Sequence, residues 1–208
     1  MSRKNSPYSA AITGGGFLFQ ETTALLPLLQ SENNKELLKD EKINNRLLQI
    51  NSENSRKKAI TEIRRRYNAM PTIFWKDYLQ MNRTDQIVAL LLVILKTYKI
   101  LFDFHINVTI RRWNSISKSL NVEDIMLEFN EIAANDDFVD SWTDTTKKKV
   151  AGAYLTILRH VGMLDNESKL QSINCSNFDY YLTHGEAWFL EACLLQPYEI
   201  DNIKKTLI

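Results

Sequence analysis

"DTTKKKVAGAYLTILRHVGML", residues 144–164, carries the clearest period in the chain. Val150, Tyr154, Ile157, Leu158 and Val161 recur at three- and four-residue spacing and so share one face of an α-helix. The expected helix, Thr143–Val161, opens at a residue suited to an N-cap and is ended by Gly162. Opposite the apolar stripe lie Thr145, Lys148, Lys149, Gly152, Thr156 and Arg159, with no acid among them. Beyond the glycine the period changes. Leu170–Ile173, the polar turn Asn174–Asn177 and Phe178–Leu182 read as two short strands, because Phe178, Tyr180 and Leu182 alternate with Asp179 and Tyr181.

Upstream, helical signals dominate. Phe17–Leu29 has Glu21 in its first turn and Pro27 near its end. Glu36–Leu48 follows, with Leu37, Leu38, Ile43, Leu47 and Leu48 as its apolar members. Ser55 stands as N-cap for Arg56–Met70, which Pro71 stops, and a short piece covers Phe74–Leu79. Thr84 caps a long apolar helix over Asp85–Phe104, then come Ile106–Ile116 and the acidic, amphipathic Val122–Ala133. The expected fold is therefore mainly α: compact multi-helix bundles with one small C-terminal β-hairpin. The division expected is an N-terminal helical subdomain over residues 1–83 and a C-terminal one over residues 84–208. Three helices followed by a hairpin is the order of a winged helix-turn-helix, with the wing in Leu170–Leu182.

Composition narrows the function classes. The chain has 208 residues, 44% hydrophobic and 25% charged, ordinary for a globular protein with a sizeable core. The most apolar run, Ile87–Leu95, is about half the length of the roughly 20 residues a bilayer span needs. The basic opening MSRKNSPYS lacks a following apolar segment, so no secretion signal is expected. Cys175 and Cys193 are too few for a disulfide framework, which fits a reducing cytoplasm. His105, His160 and His184 are isolated, so no metal site, catalytic residue, cofactor or small-molecule substrate is expected. Asp136 and Asp137 read as a solvated loop or helix start. Gly14–Gly16 lacks the Lys and Ser/Thr of a phosphate loop and is followed instead by Phe17, Leu18 and Phe19. It reads as a tight approach of backbone to core.

The net charge of +1 conceals an asymmetry. Residues 1–120 hold 19 Lys and Arg against 10 Asp and Glu, and residues 121–208 hold 7 against 15. On Arg56–Met70, Ile60, Ile63 and Tyr67 form the buried stripe, with Lys57, Lys58, Arg64 and Arg65 opposite. Cations in a first turn oppose the helix dipole, so stability alone does not place Lys57 and Lys58 there. Arg111 and Arg112, beside Trp113, make a third basic spot, with Trp113 itself read as core. Such faces are either merely solvated or contact phosphates.

Several stretches resemble one family: "YSAAITGGGFLFQET", "IRRRYNAMP", "LLLVILKTYKILFDF" and "DTTKKKVAGAYLTILRHVGML", in order along nearly the whole chain. They are similar to the BrxA family of the BREX bacteriophage-exclusion systems. The resemblance implies a small helical protein of the bacterial cytoplasm, reminiscent of the RNA-binding antiterminator NusB, that binds double-stranded DNA and meets other BREX proteins. It assigns no catalytic residues. The expected function is thus non-catalytic duplex binding through Lys57, Lys58, Arg64, Arg65, Arg111, Arg112, Thr145, Lys148, Lys149, Thr156 and Arg159. The alternatives are a protein-interaction adaptor docking through its acidic part and an RNA-binding module.

Overall fold

The structure is a computed structural model that describes residues 5–206; the basic opening at residues 1–4 lies outside them. The chain forms two compact units, one of Ala11–Thr97 and one of residues 5–10 with 98–206.

In the first unit a 3-10 turn, Ala11–Gly14, leads to α1 (Phe19–Gln30), α2 (Asn34–Asn44), α3 (Glu53–Asn68), α4 (Thr72–Gln80) and α5 (Arg83–Thr97). Leu25 and Leu29 of α1, Leu38 of α2, Leu48, and Ile60 and Ile63 of α3 make one buried cluster. The expected helix to Leu48 stops early: Asn45 takes a left-handed conformation, and Glu41 turns its carboxylate onto the N–H groups of Arg46, Leu47 and Leu48 at 2.9–3.1 Å. Arg56 holds the far side of this turn, donating to the carbonyls of Lys42 at 2.8 Å and Ile50 at 2.6 Å. Leu37 and Ile43 on α2 and Leu47 beyond it, read as core, are exposed. The first helix also starts two residues late, since Leu18 is itself left-handed at φ 52°.

The glycines before it do bring backbone against core. A Cβ on Gly15 would meet Leu18 Cδ1 at 2.8 Å and Glu62 Cβ at 3.3 Å, and Gly16 sits at φ +63°. Fully buried Arg66 donates to the carbonyls of Gly16 and Phe17, which ties this irregular segment to α3. Replacing Arg66 with Met is expected to destabilise by about 2–4 kcal/mol, by removing those charge-assisted hydrogen bonds from a buried position. Arg64→Ala, two positions away and exposed, is expected to stay within about 0.5 kcal/mol. Denaturant midpoints of the two variants measure the contrast.

In the second unit, α6 (Lys99–Phe104) runs through a π-helical segment (His105–Thr109) into α7 (Ile110–Trp113). Then come α8 (Val122–Asn135), α9 (Asp137–Asp140), α10 (Asp144–His160), α11 (Asp179–Thr183), α12 (Trp188–Ala192) and α13 (Pro197–Lys205). The expected helix Asp85–Phe104 is therefore two: Tyr98, extended at φ −120°, separates them with no proline or glycine to announce the break. The boundary placed after Phe104 is instead continuous helix. The second unit's core is aromatic, with Phe104 against Phe129 at 4.8 Å and against Tyr154 at 5.7 Å, joining α6, α8 and α10.

The C-terminal hairpin is not formed. Phe178–Leu182 falls largely in α11, capped by Asn177, and the buried residue is Tyr181, which the alternation had assigned to the outer face. Five residues of alternating bulk do not distinguish a strand from one helical turn. Among the described residues only isolated β-bridges occur, Ser119↔Lys169 and Leu164↔Leu170. They tie residues 118–120 to 168–170 through Leu120 N–H to Ser168 O and Leu170 N–H to Lys118 O, at 2.9 and 2.8 Å. No described helix is long and apolar enough to cross a membrane.

Candidate nucleic-acid interface

The helix α10 forms where its sequence period places it. The Thr143 side chain accepts from Thr146 N–H, and the chain leaves through Gly162 at φ +79°. Val150, Ala151, Tyr154, Ile157 and Leu158 are fully buried. Behind them runs a polar chain. Nε2 of His105 faces the Ala192 carbonyl at 2.7 Å, and a carbonyl only accepts, so that nitrogen carries the proton. Nδ1 then accepts from the Tyr154 hydroxyl at 2.9 Å, and Tyr154 accepts in turn from Thr109 at 2.6 Å. Each of these buried polar atoms has a partner, the Tyr154 hydroxyl two, and α10 is fixed in rotation as well as in depth.

Burial lowers the His105 pKa from 6.5 to about 4, with the Ala192 carbonyl acting weakly the other way, and raises that of Tyr154. The unfolded chain takes up a proton near pH 6.5 that the folded chain refuses until about pH 4. Stability is therefore fully present above pH 6.5 and falls between there and pH 4, by about 3 kcal/mol in all. The denaturant midpoint of the wild type is expected to drop more between pH 7 and pH 4.5 than that of His105→Gln, which keeps a donor and an acceptor without titrating.

With the rear of α10 held, its other face is open. Thr145, Lys148, Lys149, Thr156 and Arg159 are all exposed, and among the described residues none of the three cations sits in an ion pair. These five share one side of one helix. The other nominated residues divide. On α7, Arg111 is exposed, but Arg112 pairs with Asp124, whose carboxylate also accepts the Asn121 N–H in the capping box of α8. On α3, Lys57, Lys58 and Arg64 are exposed, whereas Arg65 is half-buried with Glu62 at 3.5 Å. The dipole argument for Lys57 and Lys58 does not hold. The helix starts at Glu53 with Ser52 as its cap, in place of Ser55, so its first turn is acidic and the lysines stand a turn further in.

Lys118 and Lys169 carry no local signal of their proximity, yet backbone bridging brings their segments side by side, with Lys169 Nζ donating to Ser117 O at 3.0 Å. Lys118 Nζ lies 3.7 Å from the ring centre of Trp113. The Trp113 ring is half-buried, and its Nε1 has no partner among the described residues. Asp136 caps α9 by accepting from Val139 N–H at 2.9 Å. No group of three or more His, Cys, Asp or Glu able to hold a metal ion occurs among the described residues.

Two helical units, the second presenting a basic helix face with no ion pair among the described residues, define a mainly helical protein. The chain belongs to the BrxA family, whose model matches residues 6–177. That membership carries a role associated with the BREX phage-exclusion systems. The fold is similar to that in the crystal structure of an uncharacterized protein from Magnetospirillum magneticum. The TM-score is 0.75 at 21% identity, over 90% of this chain and 98% of that one. No curated protein sequence matches this chain.

Proposed function

We propose that this chain is a non-catalytic, double-stranded DNA-binding component of a BREX system, acting in the bacterial cytoplasm beside other BREX proteins. The observation that carries the reading is α10. A seventeen-residue helix held from behind by Tyr154 turns Lys148, Lys149 and Arg159 to solvent without acidic partners among the described residues. Cations kept unpaired on a rigid element gain little for the fold and match a row of phosphates. The connectivity supports the same reading. Helices α6–α7, α8 and α10 follow one another in the order of a helix-turn-helix, with α9 inserted between the second and third. In that order α10 is the recognition helix. The turn after it exposes Asn166 and Glu167 and carries no cation at its tip. Phosphate contacts therefore fall to α10.

Gel shifts on duplex DNA across a salt series test this. Affinity is expected to fall steeply with salt. The combined change of Lys148, Lys149 and Arg159 to Ala is expected to lower the log–log slope by about 0.9 for each phosphate left without its cation. A parallel change of Lys57, Lys58 and Arg64 to Ala reads the contribution of α3. No shift at low salt removes the proposal, and preferential displacement of duplex by single-stranded RNA replaces it with RNA binding.

A further inference from the structure

We propose that Gly152 is the point where the α10 backbone approaches duplex DNA most closely, and that it lacks a side chain for that contact. The inference rests on the DNA-binding reading above and goes on to name where on α10 the duplex seats.

Glycine in the interior of a helix destabilises it relative to alanine, through greater chain entropy in the unfolded state and exposed backbone. A glycine kept there needs a reason. Elsewhere in this chain the fold supplies one. Gly15 has no room for a Cβ, and Gly16, Gly162 and Gly185 have φ of +63°, +79° and +76°. Gly14 is exposed at the end of a four-residue 3-10 turn, not within a longer helix. Gly152 differs from all of these. It sits midway along α10, its backbone is helical, and a Cβ built on it meets no atom within 4 Å. Among the described residues nothing excludes a side chain at this position.

Its surroundings point outward. Lys148 and Lys149 stand one turn before it, and Thr156 and then Arg159 follow. The Thr156 hydroxyl donates to the Gly152 carbonyl at 2.8 Å, so it is folded back on the helix. The cations are thus separated by about 15 Å of helix axis whose outer row is cut down to a glycine and a threonine. A major groove is about 12 Å wide and a helix with side chains about as thick. The gap lets the helix axis sink toward the base edges while Lys148, Lys149 and Arg159 reach the flanking phosphates. A side chain at Gly152 holds the axis away and lengthens every phosphate contact together.

The test compares the full-length wild type with Gly152→Ala and Gly152→Gln, by thermal melting and by duplex-DNA titration at several salt concentrations. Gly152→Ala is expected to raise Tm by about 2–4 °C, and to weaken duplex binding by about tenfold, the scale of one misfitted contact in such an interface. Its salt slope is expected to match the wild type, because no charge is removed. Gly152→Gln is expected to bind more weakly still. Equal duplex affinity of Gly152→Ala and wild type overturns the inference and leaves DNA binding standing. A lower Tm for Gly152→Ala also overturns it, by showing that the fold itself requires the glycine. A wild type that does not bind duplex DNA sinks the DNA reading, and this inference with it.

Discussion

The second unit is organised around a chain of buried hydrogen bonds from Thr109 through the Tyr154 hydroxyl and the His105 imidazole to the Ala192 carbonyl. Apolar burial is non-directional and by itself leaves the rotation of a helix less sharply fixed. A buried hydroxyl fixes it more sharply, because a small rotation leaves it and its partner unsatisfied. The π-helical winding of His105–Thr109 is part of the same constraint: it lies where α6 and α7 join, and its two ends supply both side chains that meet Tyr154. Fixing Tyr154 from behind determines which residues of α10 face outward.

Buried charge plays the equivalent part in the first unit. Glu41, Arg56 and Arg66 all lie within the fold, and the partners shown for them are backbone groups of irregular chain. A carboxylate or guanidinium offers several acceptor or donor sites at one position, so one side chain satisfies several such groups with charge-assisted hydrogen bonds. The run Arg64–Arg65–Arg66 shows how little residue type decides. Successive 100° steps around α3 put the first in solvent, the second beside Glu62 and the third in the core under Gly16 and Phe17. One of the two arginines expected to meet phosphate there is thus partly engaged within the fold, and the neighbour that spacing did not single out is structural.

The same distinction separates the faces of α10 from the basic spot on α7. Arg112 is held by Asp124 at the start of α8, whereas Lys148, Lys149 and Arg159 have no such partner among the described residues. A cation paired inside a fold is already half-neutralised and costly to redirect. One left open on a rigid helix needs no rearrangement to meet an anion. The acidic balance of residues 121–208 is thus unevenly spread, with Lys148, Lys149 and Arg159 gathered on one exposed face of α10.

Long periodic stretches were legible from residues alone. Thr143, the apolar stripe of α10, Gly162 and the acidic α8 all stand where spacing placed them, because an amphipathic helix of three or more turns writes its buried face into the sequence. The outer row of α10 followed from the same wheel, and the family from motifs in order. Short and irregular pieces were not legible. The break at Tyr98, the early end of α2 at Asn45 and the helical turn at Asp179–Thr183 each lack a periodic signal. Nor does residue type settle the fate of an arginine: Arg64 and Arg66 are one residue type on one helix, and only the packing of the Gly14–Phe17 segment against α3 makes one of them solvent and the other core. Local spacing determines which residues share a face. What lies against that face is a tertiary fact, because buried polar groups are satisfied by whatever backbone the fold brings to them.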